Sequence, residues 1–584
     1  MCGIFSLLNN EECYTPEEIN ESFMKGQKRG PEFSELKEID NNLLFGFHRL
    51  AINGLNANAN QPMTIDGITL ICNGEIYNYK KLFSYMNIIS STDSDCEIII
   101  HLYKHYGIEY TLQLLDGVFA FILYDKKKEI LYVARDPYGV RPLYMLNSNI
   151  INNVLPISFA SELKVLSKLF NIIKTVNNNA HKKEDYTVNI TQFKPGHYMT
   201  FKKYNNNFNI LNEFSPYTKY NTHCFSSDMM NSSPKDLNSI YFELCNKLIS
   251  AVKKRVIGTT DRPVACLLSG GLDSSLIAAL VSKFYPGKLE TYSIGMKGSE
   301  DIKYAELVAE HIESKHTSII VSEEDFLNAI PEVIKAIESY DTTTVRASVG
   351  NYLIGKYIAK HSAAKVIFNG DGSDELAGGY LYFHAAPNNI EFDHECKRLL
   401  SDIHAFDVLR SDKCISSHGL EPRTPFLDRG WVDYYLSIPI EIRKPKPGQM
   451  EKNLIRAAFS TFEPGLLPQA VLWRRKEAFS DGVSSQHKSW YQIIGEHVET
   501  LNIKKNDNEN NNYNYNYNII ISGQILLAEL AKKLWRDLAA VPASCICEPT
   551  HTTLSQPGPA STPLAVSIAA RWPNSGPLDP KMAQ

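Results

Sequence analysis

Residues 264–275 read VACLLSGGLDSS, and they decide the fold of the larger part of this chain. The apolar run Val264–Leu268 predicts a buried strand, and a helix follows over Ser274–Phe284. Between them, Ser269–Ser275 provide glycines for a tight turn, with amides and hydroxyls that bind an anion at the helix N-terminus. The lysine of the GxxxxGK[ST] nucleotide loop is missing. The stretch therefore predicts a pyrophosphate site of an ATP-to-AMP enzyme, with Asp273 available for magnesium. The alternative, a glycine-rich turn that binds no ligand, has a prior probability of roughly one in ten for such a stretch after a strand.

Helices and strands alternate on both sides of this stretch. Such alternation is typical of a parallel sheet flanked by helices, which is an α/β fold. The predicted elements are the helices Asn238–Arg255 and Ala305–Ser314 and the strands Glu290–Gly295, Thr317–Val321 and Val366–Asn369.

A second loop of glycines and acids, Asn369–Glu375, follows the last of these strands. It lies at the carboxyl end of a predicted parallel strand, where open α/β sheets bind ligands. Its three carboxylates, Asp371, Asp374 and Glu375, repel one another unless a cation such as magnesium on a triphosphate neutralises them. A solvated acidic turn is a more credible alternative here than at the first loop.

The first 210 residues have a different pattern, in which short β-rich runs alternate with turns. An asparagine-rich segment at Asn171–Asn189 predicts a surface loop. Residues 205–235 are polar and aperiodic, as in a linker. The predicted strands are Leu43–Ile52, Ile68–Cys72, Val118–Tyr124, Ile130–Ala134 and Ser158–Ala160, and the predicted helices are Pro16–Lys28 and Cys96–Tyr106.

Cys2 precedes the apolar residues of a predicted buried strand that begins at Gly3. Removal of Met1, which a small second residue favours, leaves one residue with both a thiol and an α-amino group. That amine has a pKa near ~8, so much of it is an unprotonated base near neutral pH. The arrangement predicts an acyl-transfer site. A small buried cysteine is the plain alternative.

Arg49, Glu75 and Asp95 also lie beside predicted strands or helices. Together they complement an α-amino acid, because the arginine can bind the carboxylate and the acids the ammonium. Each of them alone is an ordinary charged residue, and Asp95 is equally suited to cap a helix.

The 584-residue chain is 43% hydrophobic, with a net charge of −5, and its length allows two to four domains. This balance gives no electrostatic reason to expect nucleic acid or an acidic membrane as a partner. There is no apolar run long enough for a membrane span and no signal peptide. The 11 cysteines include no CxxC pair. We therefore expect a cytoplasmic protein with small-molecule partners.

Two sets of motifs resemble known domains. The first set resembles the glutaminase domain of class II (N-terminal nucleophile) amidotransferases, and the second resembles the synthetase domain of glutamine-hydrolysing asparagine synthetases. The first comprises Cys2-Gly3-Ile4-Phe5, Arg29-Gly30-Pro31, Asn73–Asn78, Ser94-Asp95-Cys96-Glu97, Arg135-Asp136 and Ser161-Glu162-Leu163-Lys164. The second comprises Ser269–Ser275, Tyr340–Ser348, Asn369–Glu375, Arg423–Asp428, Glu451-Lys452-Asn453 and Lys476–Val483.

The resemblance implies an αββα glutaminase sandwich over 1–210, a linker over 211–235 and a Rossmann-like ATP-pyrophosphatase domain over 236–545. An irregular tail follows over 546–584. It also implies a homodimer, and it implies amidation of aspartate with ATP and glutamine as co-substrates and Mg²⁺ as cofactor. Ammonia would cross an internal channel to a β-aspartyl-adenylate.

The resemblance also implies roles for individual residues. Cys2 attacks glutamine, Asn73 and Gly74 form the oxyanion hole, and Arg49, Asn73, Glu75 and Asp95 hold the substrate. In the second domain, Asp371 and Lys452 are implied as catalytic and Asp273 and Asp374 as metal ligands. The implied ATP and pyrophosphate contacts are Leu267, Ser269, Gly270, Gly271, Asp273, Ser274, Ile294, Asn369, Gly370, Asp374 and Lys452.

One departure from the family pattern bears on the chemistry. Asp371 stands where many members have glutamate, and its side chain is one methylene shorter. Two further hypotheses are a relative that amidates another carboxylate and a non-enzymatic descendant. The presence of Cys2, Asp273 and Lys452 argues against the descendant, and Cys2 with the glutaminase motifs disfavours the relative.

Overall fold

The computed structural model describes residues 1–150, 156–179, 186–216, 237–258, 260–475, 483 and 490–500. These residues form two six-stranded antiparallel sheets followed by one five-stranded parallel sheet. The antiparallel sheets belong to the N-terminal part of the chain and the parallel sheet to the C-terminal part. The predicted change from β-rich to alternating α/β structure is thus confirmed.

The N-terminal sheets contain twelve described strands. The first sheet has the order β10-β8-β9-β1-β3-β2 and the second the order β12-β11-β7-β6-β5-β4. The strands are β1 (Gly3–Leu8), β2 (Phe33–Asp40), β3 (Leu43–Arg49), β4 (Met63–Ile65), β5 (Ile68–Ile76), β6 (Gly117–Asp125), β7 (Ile130–Arg135), β8 (Tyr144–Ile150), β9 (Ile157–Ala160), β10 (Tyr186–Gln192), β11 (His197–Tyr204) and β12 (Asn207–Pro216).

Alternation of side chains explains how these sheets stack. In β5, Ile71 packs against the first sheet, whereas Leu70 and Cys72 face the opposite way, toward helices. Helices α1 (Pro16–Met24) and α4 (Leu163–Asn179) cover the first sheet, and α2 (Tyr79–Met86) and α3 (Glu97–Leu114) cover the second. The result is the expected four-layer αββα sandwich, with β1 and β5 facing each other across its centre.

Two predictions about the asparagine-rich and polar segments are wrong. The surface loop predicted at Asn171–Asn189 is helical through Asn179 and is strand β10 from Tyr186, and its residues 180–185 lie outside the described residues. Ile173 and Ile190 explain this, because both are buried in the core. The linker predicted from residue 205 begins too early, since β12 pairs with β11 and runs to Pro216. Residues 217–236 of that linker lie outside the described residues.

The parallel sheet has the order β15-β14-β13-β16-β17. From β13 the chain moves outward to β14 and β15, then returns to the other side of β13 with β16 and β17. The direction changes between β13 and β16, and both glycine-rich loops leave the sheet there. Its strands are β13 (Val264–Leu267), β14 (Glu290–Met296), β15 (Lys315–Val321), β16 (Val366–Phe368) and β17 (Glu421–Arg423).

Helices pack on this sheet and extend beyond it. Within the part of the chain that the structure describes, no helix is both long and apolar enough to cross a membrane. The asparagine-rich segment after residue 505 and the tail 546–584 lie outside the described residues. The helices are α5 (Leu237–Ile257), α6 (Leu272–Phe284), α7 (Glu300–His311), α8 (Glu323–Ile337), α9 (Thr342–His361), α10 (Ser373–Ala377), α11 (Asn389–Asp402), α12 (Asp407–Ser416), α13 (Arg429–Ser437), α14 (Ile440–Arg443), α15 (Asn453–Phe462), α16 (Gln469–Leu472) and α17 (Trp490–Thr500).

Candidate active sites

Cys2 lies at the start of β1, between the two N-terminal sheets. Its Sγ is 3.7 Å from the carbonyl oxygen of Leu50, and its own carbonyl accepts a hydrogen bond of 3.0 Å from Arg29 Nε. Burial raises the pKa of the Cys2 thiol to about 11. The thiol is therefore protonated near neutral pH, and its use as a nucleophile requires a neighbouring base.

Asn73 and Gly74 lie on β5, on the opposite sheet. Both side-chain polar atoms of Asn73 are buried and have no hydrogen-bond partner among the described residues. Such a pair of orphaned atoms is unusual, because buried polar groups are nearly always satisfied. A Cβ at Gly74 would lie only 2.6 Å from the carbonyl oxygen of Val118, so glycine is required for β5 to pair with β6 here.

Arg49 is held at the end of β3 by oxygen atoms of the following loop. Its guanidinium donates to the carbonyl oxygen of Asn56 at 2.8 Å, to Asn60 Oδ1 at 2.6 Å and to the carbonyl oxygen of Gly54. None of the described carboxylates forms an ion pair with it. Neutral oxygens thus orient the guanidinium without neutralising it, which suits recognition of a substrate carboxylate.

Glu75 and Asp95 lie close together, and Glu75 is bonded to Asn53, to which the sequence assigned no role. Asn53 Nδ2 donates to Glu75 Oε2 at 2.7 Å. Burial raises the pKa of Asp95 to about 6, and burial with nearby carboxylates raises the pKa of Glu75. Asp95 accepts from the Ile76 amide at 2.7 Å, and no side chain caps α3. The two acids are therefore neighbours, and their binding of a substrate ammonium stays a prediction.

In the parallel sheet, Ser269–Ser275 form the predicted turn between β13 and α6. Ser269 Oγ lies 3.0 Å from Ser274 Oγ, and no side chain caps the first amides of α6. Gly270 has a φ of 71°, and a Cβ there would lie 2.5 Å from the amide nitrogen of Ala305. The turn therefore requires glycine and leaves its helix N-terminus open to an anion.

The second loop packs directly on the first. A Cβ at Gly370 would lie 2.8 Å from Asp273 Cβ and from the Ser274 amide nitrogen, so the two loops touch through a glycine. Ser373 Oγ donates to Asp273 Oδ1 at 2.8 Å. Asn369 donates to Ser411 Oγ at 2.7 Å. Leu267 and Ile294 lie on the adjacent strands β13 and β14 at the same edge of the sheet.

Lys452 joins the acids of the two loops. Its Nζ lies 2.6 Å from Asp273 Oδ2 and 2.5 Å from Asp374 Oδ1. Among the described residues, no group of three or more acidic, histidine or cysteine side chains is arranged to hold a metal. Mg²⁺ is usually bound by one or two carboxylates together with substrate phosphates, so the pair of acids fits such an ion.

Asp371 lies in the second loop beside Arg410. Its Oδ1 is 3.5 Å from Arg410 Nη2, whereas its buried Oδ2 has no hydrogen-bond partner in the described structure. Burial raises the pKa of Asp371 to about 6. A carboxylate with one open oxygen and a pKa close to neutrality is suited to accept a proton.

Arg423 connects the two sites, and the sequence assigned no role to it although it begins the Arg423–Asp428 motif. Its Nη2 lies 3.3 Å from Glu75 Oε2 in the N-terminal sheet. Its carbonyl oxygen accepts a hydrogen bond of 3.1 Å from the Asn369 amide. A single residue of β17 therefore contacts the neighbourhood of Cys2 and the second loop of the parallel sheet.

The fold and the sites define a class of protein, an amidotransferase domain joined to a synthetase domain. Residues 1–214 match the family model of the glutamine amidotransferase domain, and residues 243–393 and 387–516 match the model of asparagine synthase.

Curated relatives narrow this class. The glutamine-hydrolysing asparagine synthetases of Gallus gallus and Homo sapiens are each 40% identical to this chain, and that of Mus musculus is 41% identical. Each match covers 85% of this chain and 87% of the relative. The chain belongs to the family of glutamine-hydrolysing asparagine synthetases.

Proposed function

We propose that this protein converts aspartate to asparagine, using ATP and ammonia released from glutamine. The observation that carries this proposal is the pairing of two sites in one chain. One has Cys2 and an unsatisfied Asn73 amide on the two facing sheets of the sandwich, and the other has an open helix N-terminus flanked by acids. Either site alone is compatible with many enzymes, but the two together match an amide-forming ligase.

The N-terminal site would release ammonia from glutamine. After Met1 is removed, the α-amine of Cys2 takes the thiol proton and the sulfur attacks the side-chain amide carbon. Asn73 Nδ2 and the Gly74 amide stabilise the resulting oxyanion. The proton passes to the departing ammonia, and water then hydrolyses the thioester to glutamate. Arg49 binds the α-carboxylate of glutamine, and Glu75 and Asp95 bind its ammonium.

The C-terminal site would activate aspartate. An oxygen of its β-carboxylate attacks the α-phosphorus of ATP, and pyrophosphate leaves toward Ser269–Ser275 at the start of α6. Lys452 stabilises negative charge on the phosphates. Asp273 and Asp374 would hold Mg²⁺, which supplies charge neutralisation on the triphosphate when bound.

Ammonia would complete the reaction at the aspartyl-adenylate. Its nitrogen attacks the β-carbonyl carbon, AMP departs, and Asp371 takes a proton from the nitrogen. Ammonia is largely protonated in water at neutral pH, so transfer through a water-excluding channel between the sites preserves the nucleophile.

Amide-¹⁵N glutamine tests this proposal directly. With aspartate and Mg-ATP, we expect labelled asparagine to form in step with AMP and pyrophosphate. Cys2→Ala should abolish the glutamine-dependent reaction and leave synthesis from added ammonia. Glutamate without asparagine would reject aspartate as the acceptor and point to a relative that amidates another carboxylate.

A further inference from the structure

Glu338 ends helix α8 in an unusual backbone conformation. Its φ is 58°, in the left-handed region, where a helix normally ends with glycine or asparagine. It is also 1% exposed, so a charged side chain is buried at a strained position. A glutamate at such a position indicates that its carboxylate has a specific task.

The carboxylate of Glu338 binds the beginning of a helix in the other domain. Its Oε2 accepts from the Leu163 amide at 2.9 Å, and its Oε1 accepts from the Lys164 amide at 2.8 Å. These are the first two amides of α4, which covers the glutaminase sheet. The helix N-terminus favours a negative charge at this point.

Lys413 supplies the counter-charge from helix α12. Its ammonium forms a fully buried ion pair with Glu338 and also donates to Tyr144 Oη at 2.8 Å. Tyr144 belongs to β8 of the glutaminase sheet. Glu338 and Lys413 therefore join the two domains through hydrogen bonds to α4 and β8 of the glutaminase domain.

A chain of hydrogen bonds connects the start of α4 with Cys2. Ser161, just before this helix, exchanges two hydrogen bonds of 3.0 Å with Ile4 on β1. Glu162 accepts from Arg29 at 3.3 Å, and Arg29 donates to the Cys2 carbonyl at 3.0 Å. The start of α4 thus sets the position of the strand that carries the nucleophile.

Helix α12, which carries Lys413, also contacts the second glycine-rich loop of the parallel sheet. Two residues before Lys413, Ser411 accepts from Asn369 at 2.7 Å, and Arg410 lies 3.5 Å from Asp371. Because Lys413 also belongs to α12, the Glu338–Lys413 pair connects the loop that contains Asp371 to helix α4, whose start is bonded to the strand of Cys2.

We infer that Glu338 is a positioning residue for ammonia transfer, which keeps the two domains closed so that ammonia from Cys2 reaches the adenylate without escaping. This inference rests on the proposed function. Glu338→Gln keeps only one acceptor oxygen, so one of the two α4 amides loses its acceptor, and the Lys413 ammonium stays buried without the Glu338 charge. Opening at this boundary would admit water between the sites.

The test is the number of glutamates formed per asparagine, with amide-¹⁵N glutamine and unlabelled ammonium in the solution. For the wild type we expect a ratio near one and little isotope dilution. For Glu338→Gln we expect at least a 3-fold higher ratio and strong dilution of the label. Glutaminase activity and synthesis from saturating ammonia, measured separately, should each stay within about 3-fold of wild type.

Glu332→Gln is the matched control, because Glu332 lies on the same helix with a 54% exposed side chain in a surface ion pair. It should leave the ratio unchanged. Glu338→Asp retains the charge and should restore part of the coupling. If Glu338→Gln is too unstable to assay, the double variant Glu338→Leu with Lys413→Met removes both charges while the amides of α4 still lose their acceptor.

An unchanged ratio in a folded Glu338 variant overturns the inference. Equal loss of both half-reactions together with a lower Tm also overturns it, because that pattern indicates a merely structural role. The proposed function fails in a different way, namely when the wild type itself transfers no label to asparagine.

Discussion

At the scale of single residues, two of the proposed catalytic residues have buried polar atoms without hydrogen-bond partners. Asn73 has two buried atoms without partners, and Asp371 has one such carboxylate oxygen in the described structure. Leaving a buried polar group unsatisfied costs about 1–3 kcal/mol, so a substrate that formed hydrogen bonds with these atoms would recover that free energy on binding. Asn73 lies on β5, whose Ile71 packs in the same core as Cys2, and Asp371 lies beside Arg410, which agrees with the proposed reactions.

Asn73→Ala tests the oxyanion hole. Removal of one such donor typically lowers kcat about 100- to 1000-fold, because the donor acts on charge that develops in the transition state. We expect that loss in glutamine hydrolysis, with little change in KM for glutamine. Synthesis from ammonia should be unaffected, and a parallel fall in both activities would contradict the role.

Asp371 predicts a pH limit on the synthetase reaction. Its pKa is raised to about 6, so the ionised form that accepts a proton is lost as the pH falls below that value. Ammonia-dependent synthesis, measured with the concentration of unprotonated ammonia held constant, should therefore decline through pH 6. Asp371→Asn should lower this activity at all pH values and abolish the decline of activity through pH 6. If the variant still shows that decline, a group other than Asp371 causes it.

At the scale of elements, the parallel sheet brings two loops together at the change of strand order. Strands β13 and β16 are neighbours although about a hundred residues separate them in sequence. Their loops contact each other through Gly370, which has no side chain to hold them apart. Close contact of this kind is what allows Asp273 and Asp374 to share Lys452.

Gly370→Ala should disturb this contact. The added methyl group would lie 2.8 Å from Asp273 Cβ and the Ser274 amide nitrogen, so one loop must shift. Misplacement by about 1 Å can reduce a rate about 100-fold, and we expect at least a 10-fold loss of ATP-dependent synthesis. Glutamine hydrolysis should remain. Gly430→Ala is a suitable control, because a Cβ there meets only Asp428 Oδ1 at 3.5 Å.

At the scale of the whole molecule, buried charges join the two domains. Arg423 is fully buried and pairs with Glu75 of one domain and Glu421 of the other. Buried ion pairs contribute little net stability compared with apolar packing, but removal of one partner is costly. Such a network therefore favours one relative placement of the domains over others.

Arg423→Met should destabilise the protein by about 3–5 kcal/mol, because it removes a buried guanidinium that pairs with both Glu75 and Glu421. We expect a lower apparent Tm and faster thermal inactivation in the same buffer. Lys356→Met breaks the exposed pair with Glu332, in which both side chains are more than half exposed, and should change stability by about 1 kcal/mol or less. Equal effects of the two variants would contradict the argument.

Patterns of apolar residues and glycines were enough to predict the main elements. The strand, turn and helix of 264–284, the parallel sheet and the two-part division follow from local properties, since each depends on residues close in sequence. The Asn171–Asn189 prediction failed because asparagine content outweighed Ile173 and Ile190, whose burial depends on a core built from distant segments.

By itself, the sequence determined the kind of each domain and, through its resemblance to a family, predicted which residues carry the chemistry. Only the tertiary structure decided which partners complete them. Asn53 beside Glu75, Arg423 between the sites and Glu338 at the start of α4 came without an assigned role. The physical reason is that their contacts join residues far apart in the chain, and no local pattern encodes which distant oxygen a buried nitrogen will meet.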